Sequence, residues 1–298
     1  MDVDEAEAWI RTYVEPAGAI EVVHERPWAT VLRVPAGDTA VWFKACGPVA
    51  AFEPRLTAQL SARWPDVIPE VIAHDEERAW LLLAHGGTPV GAFGNPPEAW
   101  EAALPPYAEL QRGETAYAAD HLAHGVPDLR VEVLPDRYAT MIARDDIPLE
   151  PHEIDRLRRF EHGFADLCTE LAARGISDTI QHDDLHLANV YERDGRMLVL
   201  DWGDSCVSHP FTSLLETFIH LDELRPVDPW YARLRDAYLE PWGPGLVDTF
   251  ELALRVAPFG HAIAWFRQLD NLPDGEMRTL FMQYFPAQLR RAVAQADE

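Results

Sequence analysis

The sequence predicts an α+β protein with two lobes, a small antiparallel-sheet lobe followed by a larger and mainly helical lobe. Short runs of β-branched and aromatic residues, separated by turn residues, are concentrated before residue 86. From residue 98 onward, apolar residues recur with a helical period between proline-rich connections. We therefore expect an N-terminal lobe at residues 1–86, a C-terminal lobe at residues 87–298, and a cleft between them.

The first strands form a meander in this prediction. Residues 20–23, 30–34 and 40–45 are rich in strand-forming side chains, and residues 35–38 (PAGD) are typical of a turn. The third strand carries Lys44 near its end. This is the only lysine in the chain, in which the other 24 basic side chains are arginines.

Helices and strands then alternate before the helical part begins. Residues 50–64 have apolar side chains at a four-residue spacing, which predicts a helix that Pro65 ends. Residues 71–73 and 79–84 follow as two further strands. The clearest helix of the C-terminal part is predicted at residues 154–171, and further helices at residues 214–221 and 250–269.

Composition excludes some partners. The chain has 50 acidic and 25 basic residues, spread over its length, which disfavours nucleic acid or an anionic membrane as a partner. The excess of acid would serve solubility, or it would suit a cationic small molecule. Three cysteines, no secretory leader and no apolar run of about 18 residues favour a protein of the cytoplasm.

The densest group of reactive side chains is QHDDLHLAN at residues 181–189, followed by LVLDWG at residues 198–203. If residues 190–192 and 197–200 pair across a turn at residues 194–195, Asn189 and Asp201 lie side by side at the open end of the hairpin. Together with Asp184, five residues before Asn189, they form an oxygen-rich site that suits Mg²⁺.

These residues carry a resemblance. HDDLHLAN followed by DWG resembles the catalytic loop and metal motif of the aminoglycoside phosphotransferase and choline kinase group, small-molecule kinases with the protein-kinase fold. The resemblance implies a transfer of the γ-phosphate of ATP to a hydroxyl of a small molecule. It implies that Asp184 is the catalytic base and that Asn189 and Asp201 hold Mg²⁺. His182 is then a support of the loop, Asp183 has no assigned role, and His186 is either a positioning residue or a ligand.

The same resemblance implies roles in the N-terminal lobe. Lys44 on the third strand would bind the α- and β-phosphates and pair with Glu53 on the next helix. The alternative for Glu53 is a solvated acid in the first helical turn. Backbone groups of Leu83, Ala84 and His85 would receive the adenine.

Two departures from the family pattern stand out. The segment at residues 24–30, expected to be the loop over the phosphates, contains no glycine, and residues 209–213 (HPFTS) lack an aspartate that many relatives have there. We therefore expect Asp204 or Glu216 to support the catalytic loop instead.

The sequence leaves alternatives open for the substrate and for the function. An aminoglycoside, amino sugar or amino alcohol would fit acidic and aromatic residues expected at the acceptor site, which are Asp204, Glu216, Asp222, Glu223, Trp230, Trp242, Trp265 and Asp270. A nucleotide-binding protein without transferase activity is a second hypothesis. A metal-dependent hydrolase that uses His182, Asp184 and His186 as ligands is a third, but it leaves the pairing of Asn189 with Asp201 unexplained.

Overall fold

The computed structural model describes residues 2–26, 28–224, 226–272 and 274–296. The strands are β1 (Glu21–Arg26), β2 (Ala29–Ala36), β3 (Thr39–Cys46), β4 (Val71–Asp75), β5 (Trp80–Leu83), β6 (Thr88–Pro89), β7 (Thr179–Gln181), β8 (Val190–Arg193), β9 (Arg196–Val199) and β10 (Cys206–Ser208). The helices are α1 (Val3–Ile10), α2 (Glu53–Arg63), α3 (Pro97–Glu114), α4 (Ala118–Ala123), α5 (Leu134–Ile142), α6 (Pro151–Ala173), α7 (Leu214–Leu224), α8 (Asp228–Leu239), α9 (Val247–Asn271) and α10 (Glu276–Gln295).

The N-terminal lobe is a five-stranded antiparallel sheet with the order β1-β2-β3-β5-β4, so the predicted meander is confirmed. Strand β3 alternates buried and half-buried residues, and it lies in the middle of the sheet because β2 and β5 pair with its two edges. This register places Lys44 between Val31 and Leu81. Helix α1, which sequence reasoning missed, packs on the sheet through Trp9 against Phe43.

The prediction of a glycine-free loop at residues 24–30 is wrong for most of these residues. Strand β1 continues to Arg26, and β2 begins at Ala29, where the two residues pair. The residues of this segment, among them β-branched and charged ones, continue the two strands because antiparallel pairing satisfies their backbone groups. Pro27 of the expected loop lies outside the described residues.

Helix α2 is tied to the larger lobe at its C-terminal end by a buried carboxylate. Glu114, at the end of α3, is fully buried and accepts two hydrogen bonds of 2.7 Å from the guanidinium of Arg63. It also accepts from the indole N–H of Trp64 at 2.7 Å and lies 2.8 Å from Nε2 of His121. A charge in the interior is stable only when several donors surround it, so this cluster fixes the position of α2.

The larger lobe has its core between α3, α5, α6 and α9, where aromatic rings fill the space. Phe259 of α9 lies 4.6 Å from Phe164 and 5.5 Å from Tyr138, centroid to centroid. The helix predicted at residues 154–171 is α6, which is longer at both ends. At its N-terminal end, a capping box of Glu150 and Glu153 starts the helix earlier.

The predicted hairpin is also present. Strands β8 and β9 pair antiparallel from Val190 with Val199 to Arg193 with Arg196. Asp194 and Gly195 between them both have positive φ, +52° and +78°, which is the requirement of the tight turns that join two strands.

The predicted fold class is confirmed: a small antiparallel-sheet lobe precedes a mainly helical lobe. Among the described residues, every helix is too short or too polar to cross a lipid bilayer.

Candidate active site

Lys44 lies between two carboxylates. Its Nζ is 2.7 Å from Glu53 Oε1 and 2.6 Å from Asp201 Oδ1, so the ion pair predicted with Glu53 is confirmed. Burial opposes the charge on Lys44, but Asp201 and Glu53 outweigh it and raise the pKa of the ammonium well above its usual value. The same contact with Lys44 lowers the pKa of Asp201 against the opposing effect of burial.

Glu53 reaches Lys44 because it begins α2 directly below the sheet. Its side chain is 2% exposed, and it also accepts a hydrogen bond from the Sγ of Cys46 at 3.3 Å. A Cβ at residue 203 would lie 2.9 Å from Glu53 Oε2. Gly203 of the DWG motif is therefore needed for the close approach of the motif to α2.

Asp184 is held by its own loop. The side-chain amide of Asn189 donates to the backbone oxygen of Asp184 at 2.9 Å and to its Oδ2 at 3.0 Å. His186 Nε2 lies 3.2 Å from the same Oδ2, and burial of His186 is outweighed by this carboxylate, so the pKa of the imidazole is raised. Within the described residues no donor bonds Oδ1, which leaves this oxygen for a ligand.

His182 is a support of the loop in this geometry. Its Nε2 donates to the Leu200 carbonyl at 2.7 Å, and its Nδ1 accepts from the backbone N–H of Asp184 at 3.3 Å. Burial lowers the pKa of the ring. Both nitrogens are used, so His182 has none left for a metal ion. The described part of the chain also contains no cluster of three or more histidine, cysteine or acidic side chains arranged to hold a metal.

The two residues expected to hold Mg²⁺ come together through the hairpin, but their register is shifted by one residue. The N–H of Leu200 donates to the backbone oxygen of Asn189 at 2.9 Å, so Asn189 lies across from Leu200 and not from Asp201. Asp201 then turns into the left-handed region, with φ of +64°. Because the nitrogen of the Asn189 amide is engaged by Asp184, its oxygen is left for a cation, and a carboxylate with an amide oxygen fits Mg²⁺.

A cavity of about 410 Å³ lies between the lobes, and Asn189 is not one of the residues that line it. Lys44 and Asp201 line it together with Asp184 and two further acids, Asp183 and Asp204. Burial, with the charges of Asp184 and Asp201, raises the pKa of Asp204 to about 7. Gln268 of α9 donates a hydrogen bond to this carboxyl group.

Aromatic rings form the rest of the cavity wall. Trp28, at the tip between β1 and β2, packs on Phe281 of α10 at 5.4 Å, and Phe281 packs on Trp265 of α9 at 4.9 Å. Of the acceptor residues expected from the sequence, only Asp204 and Trp265 line this cavity. The others do not: Glu216, Asp222, Glu223, Trp230, Trp242 and Asp270.

His261 is a cavity residue that sequence reasoning missed. Its Nδ1 is 3.6 Å from Asp183 Oδ1 and its Nε2 is 3.2 Å from Glu216 Oε1. Burial opposes protonation, but Glu216 and Asp183 raise the pKa of His261 to about 9. A single histidine in an apolar helix gives no signal in the sequence, because its two acidic partners are distant in the chain.

Asp183, to which no role was assigned, has φ of +62°, in the left-handed region that favours glycine. A residue other than glycine costs about 1–3 kcal/mol in this conformation. The contacts of Asp183 with His261 and with the side-chain amide of Gln181, at 3.1 Å, compensate for this strain.

Hydroxyl groups bond the backbone of the loop at residues 181–189, and Glu216, one of the two acids expected to support this loop, contacts it through His261 and Asp183. Thr217 Oγ1 donates to the Leu185 carbonyl at 2.7 Å. Tyr107 accepts from the backbone N–H of His182 at 3.0 Å, and its hydroxyl lies 3.0 Å from Ser213. These hydroxyl groups satisfy the buried backbone that an acid supports in many relatives.

The segment expected to receive adenine lies away from this cavity. Leu83 ends β5 opposite Trp42, and the N–H of Ala84 is taken by the Glu70 carbonyl at 2.9 Å. The carbonyl of His85 accepts from Arg193 at 2.6 Å. None of Leu83, Ala84 and His85 lines the cavity, so the structure does not bring these three to the catalytic side chains.

Solved structures of other proteins are similar to this structure over nearly the whole chain. A choline/ethanolamine kinase family protein from Mesorhizobium loti is 18% identical with a TM-score of 0.63, and the match covers 99% of each chain. A choline kinase from Cryptosporidium parvum is 10% identical with a TM-score of 0.68, and the match covers 99% of this chain and 96% of that one. A macrolide 2'-phosphotransferase from Brachybacterium faecium is 18% identical with a TM-score of 0.60, over 99% and 98% of the chains.

Neither a protein-family model nor a curated protein matches the sequence. The similarity in structure nevertheless covers nearly the full length of both partners in each comparison, with TM-scores of 0.60 to 0.68. The chain therefore has the two-lobed, protein-kinase-like fold that choline kinases and antibiotic phosphotransferases share.

Proposed function

We propose that the protein is an ATP- and Mg²⁺-dependent kinase that transfers the γ-phosphate to a hydroxyl group of a small molecule. The observation that carries the proposal is the common cavity of Lys44, Asp201 and Asp184, in which Asp184 offers an unengaged carboxylate oxygen. In this proposal residues 1–86 form the nucleotide-binding lobe, and residues 87–298 form the lobe that binds the acceptor.

Each side chain has a task in the transfer. Asp184 Oδ1 accepts the hydrogen bond of the acceptor hydroxyl and takes its proton as the oxygen bonds to the γ-phosphorus and the bond to the bridging oxygen of ADP breaks. Asn189 keeps the Asp184 carboxylate in place. Lys44, fixed by Glu53, faces the α- and β-phosphates. Asn189 and Asp201 would hold Mg²⁺, and a bound Mg²⁺ would supply neutralisation of phosphate charge.

The adenine is placed at the strand that connects the lobes. Leu83, Ala84 and His85 offer backbone groups there. In the described part of the chain, the Ala84 carbonyl and the His85 N–H carry no hydrogen bond. These two groups are an acceptor and a donor on adjacent residues, which matches the pattern along one edge of adenine.

The acceptor in this proposal carries a positive charge. Asp183, Asp184 and Asp204 line the cavity together with Trp28 and Trp265. Carboxylates attract a cation, and tryptophan faces bind ammonium groups by cation–π attraction. Aminoglycosides, amino sugars and amino alcohols are the acceptor classes with both a cation and a hydroxyl.

The experiment is a screen for acceptor-dependent release of ADP with aminoglycosides, amino sugars, choline-like amines and hydroxy amino acids. On the best acceptor, Asp184→Asn should lower kcat by a factor of about 100 or more, since general base catalysis contributes that much. Asp194→Asn is the matched control, because Asp194 is in an exposed turn with 77% of its side chain accessible.

Two outcomes would contradict the proposal. Unchanged turnover of Asp184→Asn would remove the role of the base. Binding of Mg·ATP without release of ADP, over the whole acceptor panel, would instead support a nucleotide-binding protein without transferase activity. Replacement of the cationic group of a good acceptor by its neutral carbon isostere tests the charge, and an unchanged KM would contradict a cationic acceptor.

A further inference from the structure

A second cavity, of about 420 Å³, opens beside the N-terminus of α2. We call it the α2 groove and define it by Val49, Phe52, Arg55, His124 and Arg267. It lies where the first turn of α2 meets the residue after α4 and the side of α9. Val49 also lines the catalytic cavity, so the two cavities share a wall.

The charge of the α2 groove is opposite to that of the rest of the molecule. Two arginines and a histidine line it against one acid, Glu76, in a chain with twice as many acidic as basic residues. The catalytic cavity, by comparison, is lined by four aspartates. A concave basic site on an acidic protein attracts anions locally, because nearby charges dominate the potential inside a cleft.

Arg55 and His124 use only some of their hydrogen-bonding groups within the protein. Arg55 donates from Nη1 to Glu76 at 3.0 Å, whereas its Nε is buried and has no hydrogen-bond partner among the described residues. His124 uses Nδ1, which lies 2.7 Å from the carbonyl of Asp120, and this contact leaves Nε2 for a ligand.

The remaining wall is apolar. Pro48, Val49 and Phe52 line the groove next to the basic side chains. A volume of this size lies in the range of sites for small organic ligands, about 300–1,000 Å³. The combination of two guanidinium groups with an apolar wall fits an organic molecule that presents a phosphate or several carboxylates, since arginine binds both in a bidentate way.

We propose that the α2 groove binds a small phosphorylated or polycarboxylate metabolite between Arg55 and Arg267. Arg55 lies two residues after Glu53, which holds Lys44, and Arg267 precedes Gln268, which bonds Asp204 in the catalytic cavity. A ligand that bridges the two arginines connects α2 to α9. It is an effector of the neighbouring site, and its binding does not depend on the proposed kinase activity.

The test measures anion binding by isothermal titration calorimetry with EDTA present, so that magnesium-dependent binding does not contribute. The probes are pyrophosphate, phosphate and citrate, with acetate as a monocarboxylate reference. Arg55→Gln should weaken the binding of the tightest probe about tenfold or more, as expected for loss of a charged hydrogen bond. Arg33→Gln, an exposed arginine paired with Glu21, is the matched control and should bind as the wild type does.

The second part of the experiment looks for a gain of affinity for the anion. Glu76→Gln removes the carboxylate that competes for Arg55 and should tighten binding several-fold. A preference for pyrophosphate over citrate assigns a phosphorylated ligand, and the reverse assigns a polycarboxylate. The Lys44→Met variant distinguishes anion binding in the α2 groove from anion binding in the catalytic cavity. Binding that is lost in Lys44→Met and kept in Arg55→Gln, or the absence of measurable binding of every probe at millimolar concentration, would overturn the proposal.

Discussion

Removal of the charge of Lys44 should destabilise the protein in a way that depends on pH. In Lys44→Met, the carboxylate of Glu53 loses its cation in a site where its side chain is 2% exposed, whereas Asp201 is 51% exposed and stays hydrated. The cost therefore comes mainly from Glu53, because water cannot replace the missing ammonium there.

The magnitude follows from proton binding. Burial already raises the pKa of Glu53 above its ordinary value of 4.5, and loss of Lys44 raises it further. At pH 7 the largest possible cost is the free energy of holding Glu53 protonated in the folded variant. This cost is about 1.4 kcal/mol for each pH unit above the unfolded pKa, or about 3 kcal/mol in all. A loss of this size lowers the Tm by roughly 6 °C.

The sign of the pH dependence is defined. A carboxyl group with a raised pKa in the folded state contributes stability that is fully present below pH 4.5 and is lost as the pH rises through the folded pKa. Lys44→Met should therefore regain about 2 kcal/mol relative to the wild type between pH 7 and about pH 5.5.

Urea denaturation at the two pH values measures this difference. Glu53→Gln, added to Lys44→Met, should restore most of the stability at pH 7, because the double variant buries no uncompensated charge. If the loss were the same at both pH values, or if the double variant were no more stable than Lys44→Met, the account of this buried cluster would be refuted.

Three other predictions concern single side chains. Lys44→Arg should fold with a nearly unchanged Tm yet lose most of its turnover, since a planar guanidinium cannot place its donors as an ammonium does; near-normal kcat would contradict this. Glu114→Gln should lower the free energy of unfolding by about 3 kcal/mol in urea denaturation, because it leaves Arg63 without its carboxylate, and a loss below about 1 kcal/mol would contradict it. The raised pKa of Asp204, about 7, stabilises the fold at low pH and loses this effect as the pH rises through 7, so with EDTA the Tm should fall in that range in the wild type and not in Asp204→Asn.

Local patterns in the sequence were enough to predict the fold class, the meander and the β8–β9 hairpin, but not helix α1 or the continuation of β1 to Arg26. The alternation of side chains in residues 40–45 predicted β3, and the turn residues Asp194 and Gly195 predicted the β8–β9 hairpin. Both signals reflect backbone chemistry within a few residues, which is why they can be recognised without the fold. The pairing of Lys44 with Glu53 was implied by the family resemblance, and the structure contains it.

The contents of the cavities were decided only by tertiary packing. Trp28 meets Phe281, and His261 lies between Asp183 and Glu216, although these residues belong to distant parts of the chain. The sequence by itself determined the two-lobe fold class, the strands of the meander, helix α6 and the β8–β9 hairpin, because side-chain period and turn geometry are local. The aromatic wall, the position of His261 between two carboxylates and the basic α2 groove depend on how α9 and α10 pack on the N-terminal lobe, and local patterns carry no record of that packing.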